Sequence, residues 1–286
     1  MAEADGELVV VGVDGSESAL DAVRAAAAEA VLRRRPLVVV HAYTWGLMPP
    51  KVGRDPALKA AADRLVAAAV EVAEKAAPGI TVTGEIHDGT AAGVLLRYAR
   101  RATMIVIGDR GLGGFTGLLV GSVAVQVAEH ASCPVLVVKG DRPAAGPVVV
   151  GVDGSPTSDR ATAFAFAEAE ARGADLVAVL AWRHQRPSPA ADEELPLVYD
   201  EDDLVRAEAR VLDTAVDPWR ERHPDVPVTR RLRAGRADKA LIEESRAAQL
   251  VVVGARGRGG FKGLLLGSVS HAVLHHAECP VAIVRR

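Results

Sequence analysis

Aromatic residues are scarce in this chain. They make up 3% of its 286 residues, although 49% of the residues are hydrophobic. Alanine, valine and leucine must therefore fill the interior, which favours close packing of helices on sheets over aromatic surfaces that stack on nucleobases. Long basic runs are also missing, and the formal net charge is −3. These features argue against nucleic acid as a partner.

The sequence also lacks the apolar run that a membrane span requires. No uninterrupted apolar stretch approaches the roughly 18 residues needed to cross a bilayer. The N-terminal sequence MAEADGEL is acidic and does not have the basic start and apolar core of a signal peptide. We therefore expect a cytoplasmic protein that has no membrane as a partner.

Cysteine is nearly absent. The two cysteines, Cys133 and Cys279, each come directly before a proline. They form no CxxC pair and no cluster with histidine at zinc spacing. A reducing cytoplasm disfavours a disulfide between them. We expect both to be small buried residues at the start of a strand.

Two common nucleotide-binding loops are missing as well. The motif GxxxxGK[ST], which carries the Walker lysine, does not occur. The GxGxxG motif of a dinucleotide-binding fold should follow the first strand, where this chain has GVDGS instead. The sequence therefore argues against both of these classes.

What the sequence does contain is an internal repeat. The string VVVGVDGS occurs at Val9–Ser16 and again, 139 residues later, at Val148–Ser155. A glycine-rich stretch occurs at Gly108–Val123 (GDRGLGGFTGLLVGSV) and again, 146 residues later, at Gly254–Val269 (GARGRGGFKGLLLGSV). The chain is therefore predicted to contain two copies of one domain.

The two copies are predicted to cover residues 1–141 and 146–286. A short linker rich in proline and glycine joins them, so they should touch each other. The larger second offset means that the second copy carries seven extra residues. We expect these in the acidic, proline-rich stretch Arg186–Asp203, as a solvated loop.

Five apolar runs alternate with helical segments in each copy. This alternation predicts right-handed crossovers and a parallel sheet with helices on both faces. The predicted fold class is α/β, with two tandem open five-stranded parallel-sheet domains. The strands are expected at Leu8–Asp14, Leu37–Tyr43, Ile80–Ile86, Met104–Gly108 and Pro134–Val138, and near Val148–Asp153, Asp175–Ala181, Val226–Arg233, Leu250–Gly254 and Pro280–Val284.

A candidate ligand site lies at the carboxyl ends of these strands, where open parallel sheets bind ligands. Asp14 follows the first strand and Gly108 ends the fourth, so both face one crevice if those strands are neighbours. The glycine-rich loop could hold a polyphosphate at the next helix, for which Ser122 is a candidate N-cap. Asp14 could accept from a ribose hydroxyl or hold a divalent metal. Alternatively, Asp14-Gly15-Ser16 is a turn followed by a helix cap.

The glycines of the repeated stretch follow the pattern Gly-x2-Gly-x9-Gly-Ser in both copies. With the VGVDGS start and the CPVLVV end, this pattern resembles the universal stress protein family, in its tandem-domain, nucleotide-binding branch. The resemblance covers nearly the whole chain. It implies a Rossmann-like, adenine nucleotide alpha hydrolase-like fold with adjacent first and fourth strands. It also implies an adenine nucleotide as the ligand, namely ATP with Mg²⁺.

The resemblance further implies which residues contact the nucleotide. In the first copy these are Asp14, Gly108, Gly111, Gly121, Ser122 and Val123, with Ala42 meeting adenine through its backbone. In the second copy they are Asp153, Ala181, Gly254, Gly257, Gly267, Ser268 and Val269. It implies antiparallel pairing of Pro134–Val138 with Pro280–Val284 as an intrachain pseudo-dimer. A homodimer of the whole chain and the identity of a protein partner stay open.

A phosphate-binding loop without a Walker lysine or an evident general base favours regulation over catalysis, so no catalytic residue is predicted. We expect an ATP-binding regulatory protein of the stress response that acts through nucleotide-dependent conformation or partner binding. The alternatives are a slow Mg-dependent ATPase that uses Asp14 or Asp153, and an AMP-sensing module.

The two glycine-rich loops differ in charge. The charges of residues 109–120 sum to zero, whereas residues 255–266 carry a sum of +3 from Arg256, Arg258 and Lys262. Because ATP is strongly anionic, we predict that the second site binds it more tightly and with a steeper salt dependence.

Overall fold

The computed structural model describes residues 7–43, 56–112, 119–139, 145–182, 201–258 and 265–285. Several predictions made above concern residues outside these ranges: those for Lys262 and for most of the stretch Arg186–Asp203. Residues 201–203, which were predicted to end that loop, instead form the start of a helix.

Strands and helices alternate throughout the described part of the first copy. Its elements are β1 (Leu8–Val13), α1 (Glu17–Arg33), β2 (Leu37–Tyr43), α2 (Pro56–Ala76), β3 (Val82–Asp88), α3 (Ala91–Tyr98), β4 (Ala102–Gly108), α4 (Ser122–His130) and β5 (Val135–Val138). All five predicted strands are present. The strand β3 begins two residues later than predicted, and β4 begins two residues earlier.

The second copy repeats the same order. Its elements are β6 (Val148–Gly151), α5 (Pro156–Arg172), β7 (Leu176–Trp182), α6 (Glu201–Arg222), β8 (Val228–Ala234), α7 (Ala237–Ser245), β9 (Leu250–Gly254), α8 (Ser268–His276) and β10 (Val281–Val284). The expectation of five strands in this copy is confirmed.

The ten strands form one sheet with the order β3-β2-β1-β4-β5-β10-β9-β6-β7-β8. Neighbouring strands within each copy are parallel. The first and fourth strands are adjacent in both copies, β1 beside β4 and β6 beside β9. The α/β prediction and the neighbour relation on which the crevice depends are therefore confirmed.

The two copies join through their fifth strands. The strands β5 and β10 are antiparallel, with Leu136 opposite Ala282 in the centre of the register. This is the intrachain pairing that the family resemblance implied. Because each strand covers an edge of the other's sheet, neither fifth strand leaves open backbone groups to template aggregation.

Helices cover both faces of the sheet. One buried cluster holds residues of α1, α2, α5 and α6, and the other holds residues of α3, α4, α7 and α8. Alanines dominate the buried side of α1, which lets that helix lie close to the strands. Phe166 in α5 is a rare large side chain in the core and is fully buried.

Cys133 and Cys279 are buried free thiols, as expected. Burial in the apolar core raises the pKa of each thiol to about 12. Because the thiolate is the reactive form, both residues act as packing groups.

A buried ring of four charges joins α1 of the first copy to α5 of the second. Arg33 pairs with Glu29 and Glu168, and Arg172 pairs with the same two carboxylates. The side chain of Glu29 is fully buried, and those of Glu168 and Arg172 are exposed by 4% and 8%. Burial opposes ionisation of Glu29, but the charges of Arg172 and Arg33 outweigh it and lower the pKa of that carboxyl.

Candidate functional site

Each glycine-rich loop starts where a strand end lies against a helix N-terminus. A Cβ on Gly108 would lie 2.7 Å from the Ser18 carbonyl oxygen in α1. A Cβ on Gly254 would lie 3.0 Å from the Thr157 carbonyl in α5. Glycine at these two positions therefore allows the close approach of strand and helix that brings the loop beside the first turn of α1 or α5.

A carboxylate that follows the first strand of each copy holds the start of the loop. Asp14 Oδ2 accepts from the Leu112 amide at 2.8 Å, and its Oδ1 accepts from the Ser16 amide at 3.0 Å. Asp153 accepts in the same way from the amides of Arg258 (2.8 Å) and Ser155 (2.9 Å). The aspartates thus join the end of the first strand to the glycine-rich loop.

These hydrogen bonds to Asp14 and Asp153 explain why the second position of the motif is glycine. A Cβ on Gly111 would overlap Asp14 Oδ2, and a Cβ on Gly257 would overlap Asp153 Oδ2. The same aspartates are followed by Ser16 and Ser155, which cap α1 and α5 through their side chains. The turn-and-cap alternative for Asp14-Gly15-Ser16 is therefore present in the structure, alongside a contact with the loop that the sequence did not reveal.

The helices that follow the loops lack side-chain caps. The N-cap of α4 is Gly121 and that of α8 is Gly267, and neither receives a side-chain hydrogen bond at the cap. The prediction that Ser122 is the N-cap is therefore wrong, because Ser122 is already the first helical residue. The first amides of a helix have no acceptor inside it, so both helix starts keep donors for a ligand.

A cavity of about 890 Å³ lies at this place in the second copy. Its volume is within the range of small-molecule sites. Every residue predicted to contact nucleotide in this copy lines it, namely Asp153, Ala181, Gly254, Gly257, Gly267, Ser268 and Val269. The structure thus brings together seven residues from four separate parts of the sequence.

Other residues line the same cavity, and four that the sequence analysis missed are Trp182, Glu208, Arg236 and Asp238. Trp182 follows Ala181 at the end of β7, and Arg236 and Asp238 belong to the start of α7. Glu208 reaches the cavity from α6. The sequence feature that could have indicated the residues at the start of α7 is Gly235, which matches Gly89 of the first copy. The Gly235 amide donates to the Trp182 carbonyl at 2.8 Å and so brings the α7 start to the site.

The carboxylates of the second cavity are engaged by neighbouring groups. Arg236 Nε donates to Asp238 Oδ1 at 2.9 Å, and hydrogen bonding by Arg236 lowers the pKa of the Asp238 carboxyl. Glu208 lies 4.0 Å from the guanidinium of Arg258. Asp153 accepts from two backbone amides, as described above.

In the first copy, Asp14, Gly111 and Gly121 lie close together. The Gly121 amide donates to the Asp109 carbonyl at 2.6 Å, which folds the helix start back onto the loop beside Gly111. Ser122 and Val123 follow as the first residues of α4. In the neighbouring strand β2, Ala42 lies next to His41, which is paired with Val13 just before Asp14. Ala42 and Val123 pack against the same buried cluster.

The two sites differ in local charge. In the first loop, Arg110 lies 3.4 Å from the carboxylate of Asp109, which also accepts from Ser18 Oγ at 2.7 Å. In the second loop the equivalent pair is Arg256 and Ala255, so the arginine has no adjacent carboxylate from that position. This pair of positions therefore accounts for one of the three charges by which the two loops differ.

None of the helices in the described residues is both long and apolar enough to cross a membrane. No group of three or more His, Cys, Asp or Glu side chains in the described ranges is arranged to hold a metal ion.

Comparison with known proteins gives consistent relatives for the whole chain. A profile of the universal stress protein family matches residues 7–139 and 145–285. A universal stress protein of Mycobacterium tuberculosis is 39% identical, with 97% of each chain covered. The crystal structure of a universal stress protein from Archaeoglobus fulgidus has a TM-score of 0.73 at 19% identity and covers 98% of this chain and 99% of its own.

A second structure from Archaeoglobus fulgidus, a universal stress protein in complex with dAMP, is 27% identical and has a TM-score of 0.38, covering 47% of this chain and 99% of its own. The family profile accounts for both copies, and the mycobacterial relative spans them together. The chain therefore belongs to the universal stress protein family.

Proposed function

We propose that this chain is an ATP-binding regulatory protein of the stress response, with one nucleotide site in each copy and without substantial turnover. The observation that carries the proposal is the uncapped start of α8, which opens into the 890 Å³ cavity beside the glycine-rich loop. Amides that have no partner in their helix, together with the helix dipole, favour an anionic phosphate group at this position.

The cavity also has the features that a nucleoside requires. Ala181 and Trp182 end β7 on one side, and the start of α7 lies on another. In this proposal the phosphates lie over Gly257, Gly267 and Ser268, and adenine lies near Ala181. Bound Mg²⁺ would neutralise phosphate charge, and Asp153 is the carboxylate nearest to the loop that could help to hold it.

The arrangement favours binding over hydrolysis. A carboxylate that acts as a general base must be free to accept a proton from water. Among the described cavity residues, Asp153 and Asp238 are held by hydrogen bonds and Glu208 lies beside an arginine. In this proposal the bound nucleotide stays intact. Binding then acts in the cytoplasm by changing the conformation of the protein or its choice of partner.

The decisive experiment is to denature the purified full-length chain and identify the released nucleotide with its stoichiometry. ATP at up to two molecules per chain is the expected result. AMP as the released species would favour the AMP-sensing alternative instead. Phosphate release from added ATP, well above background and lost in Gly267→Ser and Gly121→Ser variants, would establish an ATPase and overturn the regulatory proposal.

A further inference from the structure

Two cations link the copies reciprocally. Lys139 directly follows β5 and Arg285 directly follows β10, so they occupy equivalent positions. Lys139 Nζ donates to the Leu274 carbonyl in α8 at 3.1 Å, and Arg285 Nη2 donates to the Ala128 carbonyl in α4 at 3.3 Å. Each cation thus reaches the last turn of a helix in the other copy, where carbonyls lack partners in the helix and negative charge accumulates.

The second hydrogen bond breaks this symmetry. Lys139 donates again within α8, to the His275 carbonyl at 2.9 Å. Arg285 instead donates to the Leu265 carbonyl at 2.8 Å. Leu265 belongs to the returning arm of the second glycine-rich loop, two residues before the N-cap Gly267. The guanidinium can serve acceptors in separate elements because its N–H donors form a rigid fork, whereas a lysine ammonium acts as a compact point charge.

We propose that Arg285 is a positioning residue of the second nucleotide site and that it ties this site to the first copy. Its guanidinium donates one hydrogen bond to the Leu265 carbonyl and another to the Ala128 carbonyl of α4. The end of the second glycine-rich loop is therefore fixed relative to the first copy. Among the described residues, both hydrogen bonds of Lys139 go to α8 and neither goes to the first glycine-rich loop, where the charge of Asp109 acts on Lys139. This inference rests on the proposed function, because it assumes that the loop binds nucleotide.

The test uses the full-length chain with the first site blocked by Gly121→Ser, so that ATP titration reports the second site. Arg285→Lys keeps the charge and, as Lys139 does, can still donate to a helix carbonyl. It should weaken ATP binding about three- to tenfold through the lost hydrogen bond to the loop. The thermal midpoint should not change. Arg246→Lys is the matched control, because Arg246 pairs with the exposed Glu278 and should not affect affinity.

The reciprocal background, Gly267→Ser, reports the first site, and there Arg285→Lys should leave the affinity for ATP unchanged. Equal second-site affinity with and without Arg285→Lys overturns the proposal. An equal loss at both sites also overturns it, because that result indicates a general effect on the sheet. If the unmodified chain binds no nucleotide, the proposed function itself fails, and this outcome is distinct from a chain that binds nucleotide independently of Arg285.

Discussion

At the scale of single residues, Gly121 and Gly267 differ from the other glycines of the motif. Their backbone angles are ordinary, with φ of −70° and −73°. A Cβ on Gly267 would lie no closer than 3.4 Å to other protein atoms, and one on Gly121 no closer than 3.5 Å. Within the described part of the chain, nothing therefore requires glycine at either position, and this supports the proposal that a ligand contacts both glycines.

This difference predicts that Gly267→Ser separates stability from binding. Serine is a favoured N-cap, so the ligand-free protein should keep its stability or gain a few tenths of a kcal/mol. The hydroxyl would occupy the amides of α8, and second-site ATP affinity should fall about tenfold or more. Thermal unfolding and calorimetric titration measure the two effects. Gly121→Ser is the matched control and should act on the first site; unchanged binding in both variants would contradict the proposed phosphate position.

Gly257 should behave differently, because a Cβ there overlaps the Asp153 carboxylate. Gly257→Ala should weaken ATP binding at the second site by displacing the loop. In an Asp153→Ala background the clash is absent, so the added effect of Gly257→Ala should shrink by about 1 kcal/mol. A double-mutant cycle on ATP affinity measures this coupling. Strict additivity of the two substitutions would show that the glycine acts independently of the aspartate.

At the scale of elements, the two glycine-rich loops predict unequal sites. Arg256→Gln should weaken second-site ATP binding about threefold or more and reduce its salt dependence, since Ala255 leaves this arginine without an adjacent carboxylate. Arg110→Gln in the first loop should have a smaller effect, because Asp109 already lies 3.4 Å from Arg110. Titrations at several salt concentrations, each with the other site blocked, measure both. A tighter first site would refute the predicted order.

At the scale of the whole molecule, the buried charge ring joins the two copies between α1 and α5. Its net charge is zero, so removing one member leaves a buried charge unpaired. Arg172→Met should therefore lower the free energy of unfolding by about 3 to 5 kcal/mol. Chemical denaturation measures this loss. Arg24→Met is the matched control, because Arg24 and Asp21 form an exposed pair and its removal should change stability little. Equal effects of the two substitutions would rule out a stabilising role for the ring.

The sequence alone determined the repeat, the α/β alternation and most element boundaries. These follow from local patterns: apolar runs specify buried strands, and Ser16 or a glycine turn specifies where a helix begins or a loop bends. The predicted strands Leu37–Tyr43 and Leu250–Gly254 agree with the structure at both ends. The family resemblance, which rests on the repeated glycine spacing and the VGVDGS and CPVLVV strings, selected seven of the residues that line the second cavity.

Tertiary structure alone decided how those residues are held. Asp14 reaches the Leu112 amide 98 positions away, and Arg285 reaches Leu265 and the helix α4 of the other copy. Such contacts depend on which strands become neighbours and on the exact docking of side chains, and no local pattern encodes a partner at that distance. The same reason applies to the ring of Glu29, Arg33, Glu168 and Arg172, which exists only when the two copies pair through β5 and β10.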